Sequence, residues 1–208
     1  MNLNQIHITF NSREDYRILT PILNQIPHKL YYFTAEIKST GQKDEHLDFF
    51  NKNSSFLKEK IPNLIIIQKE VDYTDYIEII QELSKIIKKE KGTNPNCEFF
   101  INIGTGSKIT AIASTEAARL WNCKALYVHS TKYDPLTKGA RHKGEMIIKY
   151  PPIFPAQKPM KKLIKVLKII DNAIKEQLSL VGDFMSAWRI YKCWCKSDCW
   201  DGRVTLLS

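Results

Sequence analysis

The sequence lacks the marks of several large protein classes. Its five cysteines are an odd number with no Cys-x-x-Cys pair, which argues against a disulfide scaffold and a paired zinc site. No stretch approaches the roughly 18 apolar residues that a membrane-spanning helix needs. The first residues, Met-Asn-Leu-Asn-Gln, contain neither a basic segment nor a long apolar one, so they predict no signal peptide. We therefore expect a cytoplasmic protein with no membrane partner, no metal and no cofactor.

Glycine is also scarce, with eight in 208 residues, and the two common glycine-rich phosphate motifs are absent. Two of the glycines stand in the segment Gly104-Thr105-Gly106-Ser107-Lys108. A P-loop with its lysine at position 108 would need glycines at positions 102 and 107, where this chain has Asn102 and Ser107. The dinucleotide fingerprint would need glycine at position 109, which is Ile109, and would follow the first strand. The segment is therefore neither motif.

Positive charge is what the chain has in excess. Its 31 lysines and arginines outnumber 22 aspartates and glutamates, which gives a net charge of +9 at pH 7. This balance favours anionic partners such as nucleic acids and nucleotides, although a solvated basic surface would also account for it. With 43% hydrophobic residues, the chain can bury one domain core and carry an appendage.

Short apolar runs alternate with segments of helical periodicity. The apolar runs predict six strands: Ile6–Phe10, Lys29–Ala35, Asn63–Gln68, Phe99–Ile103, Ala125–His129 and Glu145–Tyr150. Helices are predicted from Asn11-Ser12, with a kink or break at Pro21, over Asp44–Lys60 and Thr74–Lys91, and after Lys108. The alternation predicts an α/β fold: a Rossmann-like three-layer sandwich with a mostly parallel central sheet of about six strands. We expect the last strand at the edge, paired antiparallel, and a C-terminal helical extension after it.

Helical spacing predicts which side chains form the apolar faces of the two helices that follow the candidate loops. In the first helix this face consists of Ile18, Ile22, Leu23 and Ile26. In the helix after the glycine segment it consists of Ile109, Ile112, Ala113, Leu120 and Trp121. Ser107 or Thr105 is available as the N-cap of the second of these helices.

The glycine segment joins a buried strand to a helix, which is a geometry that binds anions. The first turn of a helix offers unpaired N–H groups and the positive end of the helix dipole. Gly104 and Gly106 would let the backbone approach a phosphate or a ribose closely. Thr105 and Ser107 add hydroxyls, and Lys108 adds a cation. An ordinary turn with small residues and a surface lysine is the alternative.

Polar residues also follow the first and fifth predicted strands. In parallel sheets, ligands bind beyond the carboxyl ends of the strands. If the first and fourth predicted strands are neighbours, Phe10, Asn11, Ser12 and Arg13 form one site with the glycine segment. The loop from Ser130 to Lys143 would join this site with a set of basic and aromatic side chains: Lys132, Tyr133, Lys138, Arg141, His142 and Lys143. Such a site suits a polyanion better than a neutral metabolite.

The C-terminal part has two sections that differ in composition. Residues 151–182 begin with Pro151-Pro152 and continue as a lysine-rich amphipathic helix, which would pack on a partner copy or on its own domain. Residues 183–208 concentrate tryptophan and cysteine in a tail that looks truncated or non-native. We therefore predict a ligand-binding domain over residues 1–150, a linker helix and an atypical tail.

The segment Asn102-Ile103-Gly104-Thr105-Gly106-Ser107-Lys108, running into an Ile/Ala-rich helix, resembles the CARF (CRISPR-associated Rossmann fold) domains. Residues 5–150 match these domains in layout. Within the family, the sequence is most similar to archaeal transcriptional regulators that carry a winged helix-turn-helix after the sensor domain.

The resemblance implies a homodimer that binds a cyclic oligoadenylate, the second messenger of type III CRISPR defence. In the family the ligand lies across the dimer axis, between the loops after strands one and four, which here are Phe10–Arg13 and Gly104–Lys108. The resemblance to regulators further implies control of transcription, with DNA bound through the C-terminal region.

Two other functions stay open. Some CARF domains resemble ring nucleases, which cleave their own ligand without a metal, and Ser12 and Lys108 would then be the catalytic candidates. Ser12 would orient the phosphate and Lys108 would neutralise it. The other alternative is a Rossmann-like nucleotide-binding protein unrelated to CRISPR.

Overall fold

A computed structural model describes residues 2–37, 40–137, 140–154, 156 and 165–171. The chain divides into two units, Met1–Pro155 and Ala156–Ser208. In the second unit the described part includes a helical stretch over residues 165–171. The predicted tail, residues 183–208, and Lys138 lie outside the described residues.

The first unit contains seven strands and four helices within its described residues. The strands are β1 (Asn2–Phe10), β2 (Pro27–Ile37), β3 (Gln42–Lys43), β4 (Ile65–Val71), β5 (Glu98–Asn102), β6 (Lys124–Tyr133) and β7 (His142–Lys149). The helices are α1 (Asp15–Asn24), α2 (Leu47–Lys60), α3 (Tyr76–Thr93) and α4 (Lys108–Trp121). The predicted α/β class is confirmed, and the two-residue strand β3 is an addition to the six predicted strands.

The main sheet has the order β4-β2-β1-β5-β6-β7, and the short β3 pairs antiparallel with the far end of β2. All the other pairings are parallel except that between β6 and β7. The first and fourth predicted strands, β1 and β5, are direct neighbours, with Gln5 opposite Glu98 and Ile8 opposite Ile101. The carboxyl ends of β1 and β5 therefore meet at the middle of one sheet edge.

Helices cover both faces of the sheet. Alternate residues of β1, among them Ile6, Ile8 and Phe10, belong to a core with side chains of α3 and α4. On the other face Leu30 and Tyr32 of β2 pack with side chains of α1 and α2. Successive residues of a strand point to opposite faces of the sheet. Because helices cover both faces, both sets of side chains are apolar, and the strands are therefore continuous apolar runs in the sequence.

Helix α1 differs from its prediction at two points. It begins at Asp15 with Glu14 in the N-cap position, so it does not start at Asn11-Ser12. It also runs through Pro21 to Asn24 without the predicted break. A proline lacks the N–H that would bond to the carbonyl four residues earlier, which here belongs to Arg17. The Asn102 side chain donates to the Arg17 carbonyl instead, at 2.9 Å, so the carbonyl is satisfied and the helix continues.

The predicted apolar faces of α1 and α4 are partly wrong. Leu23 and Ile26 are exposed, as are Ile109 and Ile112, the latter with 55% of its surface accessible. The buried face of α4 instead uses small side chains such as Ala113, Ser114, Ala117 and Ala118, together with Trp121. Small residues let α4 lie close to the sheet and to α3, and the isoleucines fall on the opposite side.

Candidate functional site

The turn between β5 and α4 is held by side chains at both ends. Asn102 at the end of β5 accepts from the Gly104 amide at 2.9 Å. Ser107 caps α4, because its hydroxyl accepts from the Thr110 amide at 3.1 Å and donates to the Tyr73 carbonyl at 2.9 Å. The predicted cap at Ser107 is therefore confirmed. Since the cap takes one amide of the first turn, the remaining first-turn amides keep their capacity to bind an anion.

Packing inside the protein requires one glycine of the turn and crowds the other. Gly106 has a φ of +79°, and a Cβ there would lie 2.5 Å from Thr110 Oγ1 and 2.8 Å from Phe10 Cβ. A Cβ at Gly104 would lie 2.8 Å from a terminal nitrogen of Arg17, so that side chain would have to move. Both glycines were predicted to let a ligand approach, but at Gly106 the positive φ and the internal contacts already demand glycine.

A cavity of about 470 Å³ lies beside this turn at the carboxyl edge of the sheet. Its wall is built by the β1–α1 loop, the glycine turn, the β3–α2 loop and single residues from three other segments. The lining residues are Asn11, Ser12, Arg13, Glu14, Ala35, Lys43, Asp44, Glu45, His46, Tyr73, Gly106, Ser107 and Arg141.

Asn11 forms the floor of the cavity and joins three segments. Its side-chain nitrogen Nδ2 donates to the Asp44 carboxylate at 2.9 Å and to the His46 carbonyl at 2.7 Å, and its side-chain oxygen Oδ1 accepts from the Tyr32 hydroxyl at 3.1 Å. Asp44 also accepts from the Ala35 amide at 3.0 Å. Asn11 is 3% exposed, so its side chain serves to fix the β1–α1 and β3–α2 loops against each other.

Tyr73 closes the back of the cavity. Its hydroxyl donates to the Phe33 carbonyl at 2.8 Å and accepts from the Asn11 amide at 2.8 Å. Burial of this hydroxyl raises the pKa of Tyr73 well above its ordinary value, and the nearby Asp44 carboxylate adds to the shift. The phenol therefore stays neutral and acts as a fixed hydrogen-bonding group.

Two of the three carboxylates in the wall, those of Glu14 and Asp44, accept hydrogen bonds from neighbouring groups, whereas Glu45 is exposed and lies 3.5 Å from His46 Nε2. Glu14 accepts from the backbone amides of Arg141 and His142, at 3.2 and 3.1 Å. Asp44 accepts the bonds described above. Arg13 is exposed and its Nε donates to His46 Nε2 at 3.1 Å. The side chains of Arg13 and Arg141 thus supply positive charge at the mouth of the cavity, as a polyanion site requires.

The predicted site residues fall into three groups. Asn11, Ser12, Arg13, Gly106 and Ser107 line the cavity, as stated above. Phe10 and Thr105 lie behind it, with Phe10 fully buried and stacked on Phe33 at 5.0 Å between ring centroids. The Thr105 hydroxyl lies 3.3 Å from that of Thr9, so it joins the turn to β1 and does not face solvent.

The remaining predicted residues lie outside the cavity wall. Gly104 packs on Arg17, and Lys108 is exposed at the start of α4. Lys132 and Tyr133 are exposed on β6, where Tyr133 contacts the His142 ring. Among the described residues of the basic loop, Arg141 alone reaches the wall.

Seven residues of the wall had no place in the predicted site, among them Asp44, His46 and Tyr73. Asp44 was predicted to begin a helix over Asp44–Lys60. The two-residue strand β3 shifts the helix start to Leu47 and turns residues 44–46 toward β1. No sequence pattern predicts a strand of two residues, so nothing in the sequence indicated that residues 44–46 line the cavity.

Two general features of the described residues bear on the site. No three of their histidine, cysteine, aspartate and glutamate side chains come together in a way that could hold a metal ion. In the same parts of the chain, every helix is too short or too polar to span a bilayer.

Comparison with known proteins gives a family and a set of similar folds. A family model described as "HFX_2341_N:-like, N-terminal" matches residues 5–133. No curated protein matches the chain. Among solved structures, Enterococcus italicus Csm6 bound to cyclic hexa-2′-fluoro-hexa-dAMP is similar over 98% of this chain, with a TM-score of 0.58 and 15% identity.

Two further structures are similar over a smaller part of the chain. A type III CRISPR defence DNA nuclease activated by cyclic oligoadenylate covers 62% of it, with a TM-score of 0.50 and 13% identity. Can2 from Sulfobacillus thermosulfidooxidans in complex with cyclic tetra-adenylate covers 61%, with a TM-score of 0.47 and 18% identity. The chain spans 57% of the length of Csm6, 19% of the nuclease and 33% of Can2. At these identities the likeness is one of fold.

Proposed function

Starting from the fact that the chain belongs to the family described as "HFX_2341_N:-like, N-terminal", we propose that it is a sensor for a cyclic oligoadenylate. The observation that carries this proposal is the direct pairing of β1 with β5. Because of this pairing, the β1–α1 loop and the N-terminus of α4 border one cavity, which also has arginines at its mouth. Two of the similar proteins support the choice of ligand: Csm6, whose structure contains cyclic hexa-2′-fluoro-hexa-dAMP, and the type III CRISPR defence DNA nuclease, which is activated by cyclic oligoadenylate.

The chemistry of the site suits a ring of nucleotides. Each phosphodiester of the ring carries one negative charge. One of these phosphates would bind the first-turn amides of α4 and the cation of Lys108. The cavity of about 470 Å³ is large enough for an adenine base, and its wall offers both donors and acceptors. Arg13 and Arg141 would hold a second phosphate.

We further propose that two copies of the chain form the complete sensor. Ile109 and Ile112 lie exposed on α4, directly after Lys108, and such an apolar pair is an expected contact across a two-fold axis. Replacing Ile112 by aspartate would put two carboxylates at this contact. We expect Ile112→Asp to sediment as a monomer and to bind the ring weakly. An Ile112→Asp protein that stays dimeric and binds normally would exclude α4 as the interface.

Calorimetric titration with cyclic tri-, tetra- and hexa-adenylate tests the proposal. We expect one ring per two chains for one ring size, and recovery of the intact ring by chromatography afterwards. Linear adenosine tri-, tetra- and hexanucleotides serve as controls, because they carry similar charge without the closed symmetry. If no ring binds more tightly than its linear control, the proposed function is wrong.

A ring nuclease is the second candidate, and His46 favours it. Ser12 and His46 line the same cavity. In the reaction, the ribose 2′-oxygen attacks the adjacent phosphorus, the bond from phosphorus to the 5′-oxygen breaks, that oxygen takes a proton from water, and a 2′,3′-cyclic phosphate forms. The Nε2 of His46, once Arg13 turns from it to the phosphate, would accept the 2′-hydroxyl proton, Ser12 would orient the phosphate, and Lys108 would neutralise the developing charge. Linear products in the recovered ligand, abolished by His46→Ala, would establish this activity.

We assign the output to the second unit, Ala156–Ser208. Residues 151–208 contain ten basic and five acidic residues, a charge balance that suits DNA. Control of transcription would then couple ring binding to DNA contact. A gel-shift assay with the DNA upstream of the protein's own gene, with and without the ring, checks this assignment. Equal mobility of the DNA in both lanes, at protein concentrations that saturate the ring, would refute it.

A further inference from the structure

The buried face of α1 contains an arginine in an unusual environment. Arg17 is only 7% exposed. Its Nε donates to the Val128 carbonyl at 3.0 Å, and its guanidinium lies 4.9 Å from the centre of the Tyr127 ring. These contacts fix the guanidinium plane but use one of its five N–H groups.

No carboxylate neutralises Arg17 among the residues that the structure describes. The two acidic residues nearest in sequence are both engaged elsewhere. Glu14 accepts from the amides of Arg141 and His142, and Asp15 pairs with Lys52 at 2.8 Å. A nearly buried guanidinium without a counter-ion is costly, so an anion that reaches its terminal nitrogens would be bound strongly.

The position of Arg17 points to the glycine turn. A Cβ at Gly104 would lie 2.8 Å from Arg17 Nη2, so the guanidinium packs directly against the turn backbone. Asn102 ties the two together, because its side chain donates to the Arg17 carbonyl and accepts from the Gly104 amide, both at 2.9 Å. The cation is therefore held at the carboxyl edge of the sheet, on the β6 side of the turn and away from the cavity beside Gly106.

We propose that Arg17 binds a phosphate of the ligand through its terminal nitrogens. This inference rests on the proposed function and adds a third phosphate subsite to it, between the glycine turn and β6. A planar guanidinium offers two parallel N–H groups to one phosphate, which suits a phosphodiester. The phosphate supplies the negative charge that α1 does not provide. One subsite on each side of the turn would let neighbouring phosphates of a ring bind the same chain.

The test compares Arg17→Met and Arg17→Lys with Lys85→Met, whose side chain pairs with Glu82 on the surface of α3. Each protein is titrated with cyclic tetra- and hexa-adenylate, and its melting temperature is measured without ligand. We expect Arg17→Met to bind the ring about 10- to 100-fold more weakly, which is the range for loss of a charge-assisted pair. Arg17→Lys should lose less, since it keeps the charge but not the fork, and Lys85→Met should bind like the original chain.

Wild-type affinity in folded Arg17→Met would overturn the inference and leave the proposed function standing. If Arg17→Met does not fold, Arg17→Lys decides: unchanged affinity overturns the inference, and an affinity at least five-fold lower supports it.

A second measurement separates this inference from the proposed function. Inorganic pyrophosphate is added at constant ionic strength, and the rise in melting temperature is recorded for the same four proteins. We expect a smaller rise in Arg17→Met than in the original chain and in Lys85→Met. If no cyclic oligoadenylate binds the original chain but this difference persists, the proposed function is wrong and the anion site at Arg17 stands. Equal rises in all proteins would overturn the site.

Discussion

Gly106 and Gly41 both have a positive φ, of +79° and +67°, but their surroundings differ. An added Cβ at Gly106 would meet Thr110 and Phe10 at less than 3 Å, whereas at Gly41 it would meet no described atom within 4 Å. We expect Gly41→Ala to lower the free energy of unfolding by about 1 kcal/mol, from backbone strain alone. Gly106→Ala should lower it by about 2–4 kcal/mol, because steric overlap adds to the strain. Urea denaturation of both variants measures the difference, and equal losses would contradict the packing seen around Gly106.

Lys108 is exposed at the first position of α4, and it forms no hydrogen bond or ion pair with the other described residues. Removing its charge should therefore leave stability unchanged to within about 0.5 kcal/mol. Under the proposed function, Lys108→Ala should weaken ring binding about ten-fold or more, because a charge-assisted contact is lost. Lys85→Ala, which removes an exposed lysine paired with Glu82 on α3, is the matched control. Equal affinities of the two variants would remove Lys108 from the site.

Local sequence is enough to predict some residues of the site but not others. Ser107 follows from the rule for N-caps, since a hydroxyl before an apolar periodic run marks a helix start. Arg17 and Asp44 do not follow from any such rule, because their roles come from contacts with segments distant in sequence. Arg17 meets Val128 across 111 positions, and Asp44 meets Asn11 across 33. Only the tertiary structure shows that Arg17 is buried and that Asp44 lines the cavity.

Helix α1 shows how one side chain from a neighbouring strand sustains an element that sequence would end. Pro21 leaves the Arg17 carbonyl without its helical donor, and Asn102 supplies one. Asn102→Ala would leave that carbonyl and the Gly104 amide unsatisfied, which should lower the free energy of unfolding by about 2–4 kcal/mol. Pro21→Ala restores a donor inside the helix. We therefore expect Asn102→Ala to cost about 1 kcal/mol less in a Pro21→Ala background.

A double-mutant cycle by urea denaturation measures this coupling between α1 and the turn. The cycle needs the original chain, Pro21→Ala, Asn102→Ala and the double variant. Strictly additive losses would mean that Asn102 does not replace the donor that Pro21 lacks.

The fold class of the whole molecule follows from the sequence, because apolar runs alternating with helical periodicity dictate a layered α/β structure. Strand order does not follow. The pairing of β1 with β5 joins residues about 90 positions apart, and no local pattern in the sequence specifies which strands become neighbours. The faces of α1 and α4 were also predicted incompletely, since Leu23 and Ile112 fit a helical period but lie on the exposed side. Periodicity predicts that a helix is amphipathic, while the size of the residues that pack decides which side is covered.

One buried histidine should make the stability of the whole domain depend on pH. His7 of β1 is 2% exposed, its Nε2 has no partner among the described residues, and burial lowers its pKa to about 4. An unfolded chain binds a proton at this histidine below its ordinary pKa near 6.5, and the folded chain does so only near pH 4. Stability should therefore fall by about 3 kcal/mol as pH drops from 6.5 to 4.

Urea denaturation at several pH values measures this dependence, with His7→Leu as the control that cannot titrate. We expect the slope between pH 6 and 4.5 to be shallower in His7→Leu. Glu90 does not confound this window. Burial acts to raise its pKa, but hydrogen bonds from Lys29 and Tyr31 outweigh that effect and hold the pKa below its ordinary value. Identical slopes in the two proteins would mean that His7 is not the titrating group.

The two strands whose ends border the cavity, β1 and β5, lie in the interior of the sheet, because β2 pairs with β1 on one side and β6 pairs with β5 on the other. Amides in such strands exchange with solvent only when a large part of the domain opens, so the cavity floor should be among the slowest-exchanging regions. An arriving molecule would meet walls that are already ordered and would lose little entropy in arranging them. Its rate of capture should then depend on diffusion and on salt rather than on a slow closing step, and it should fall as ionic strength rises.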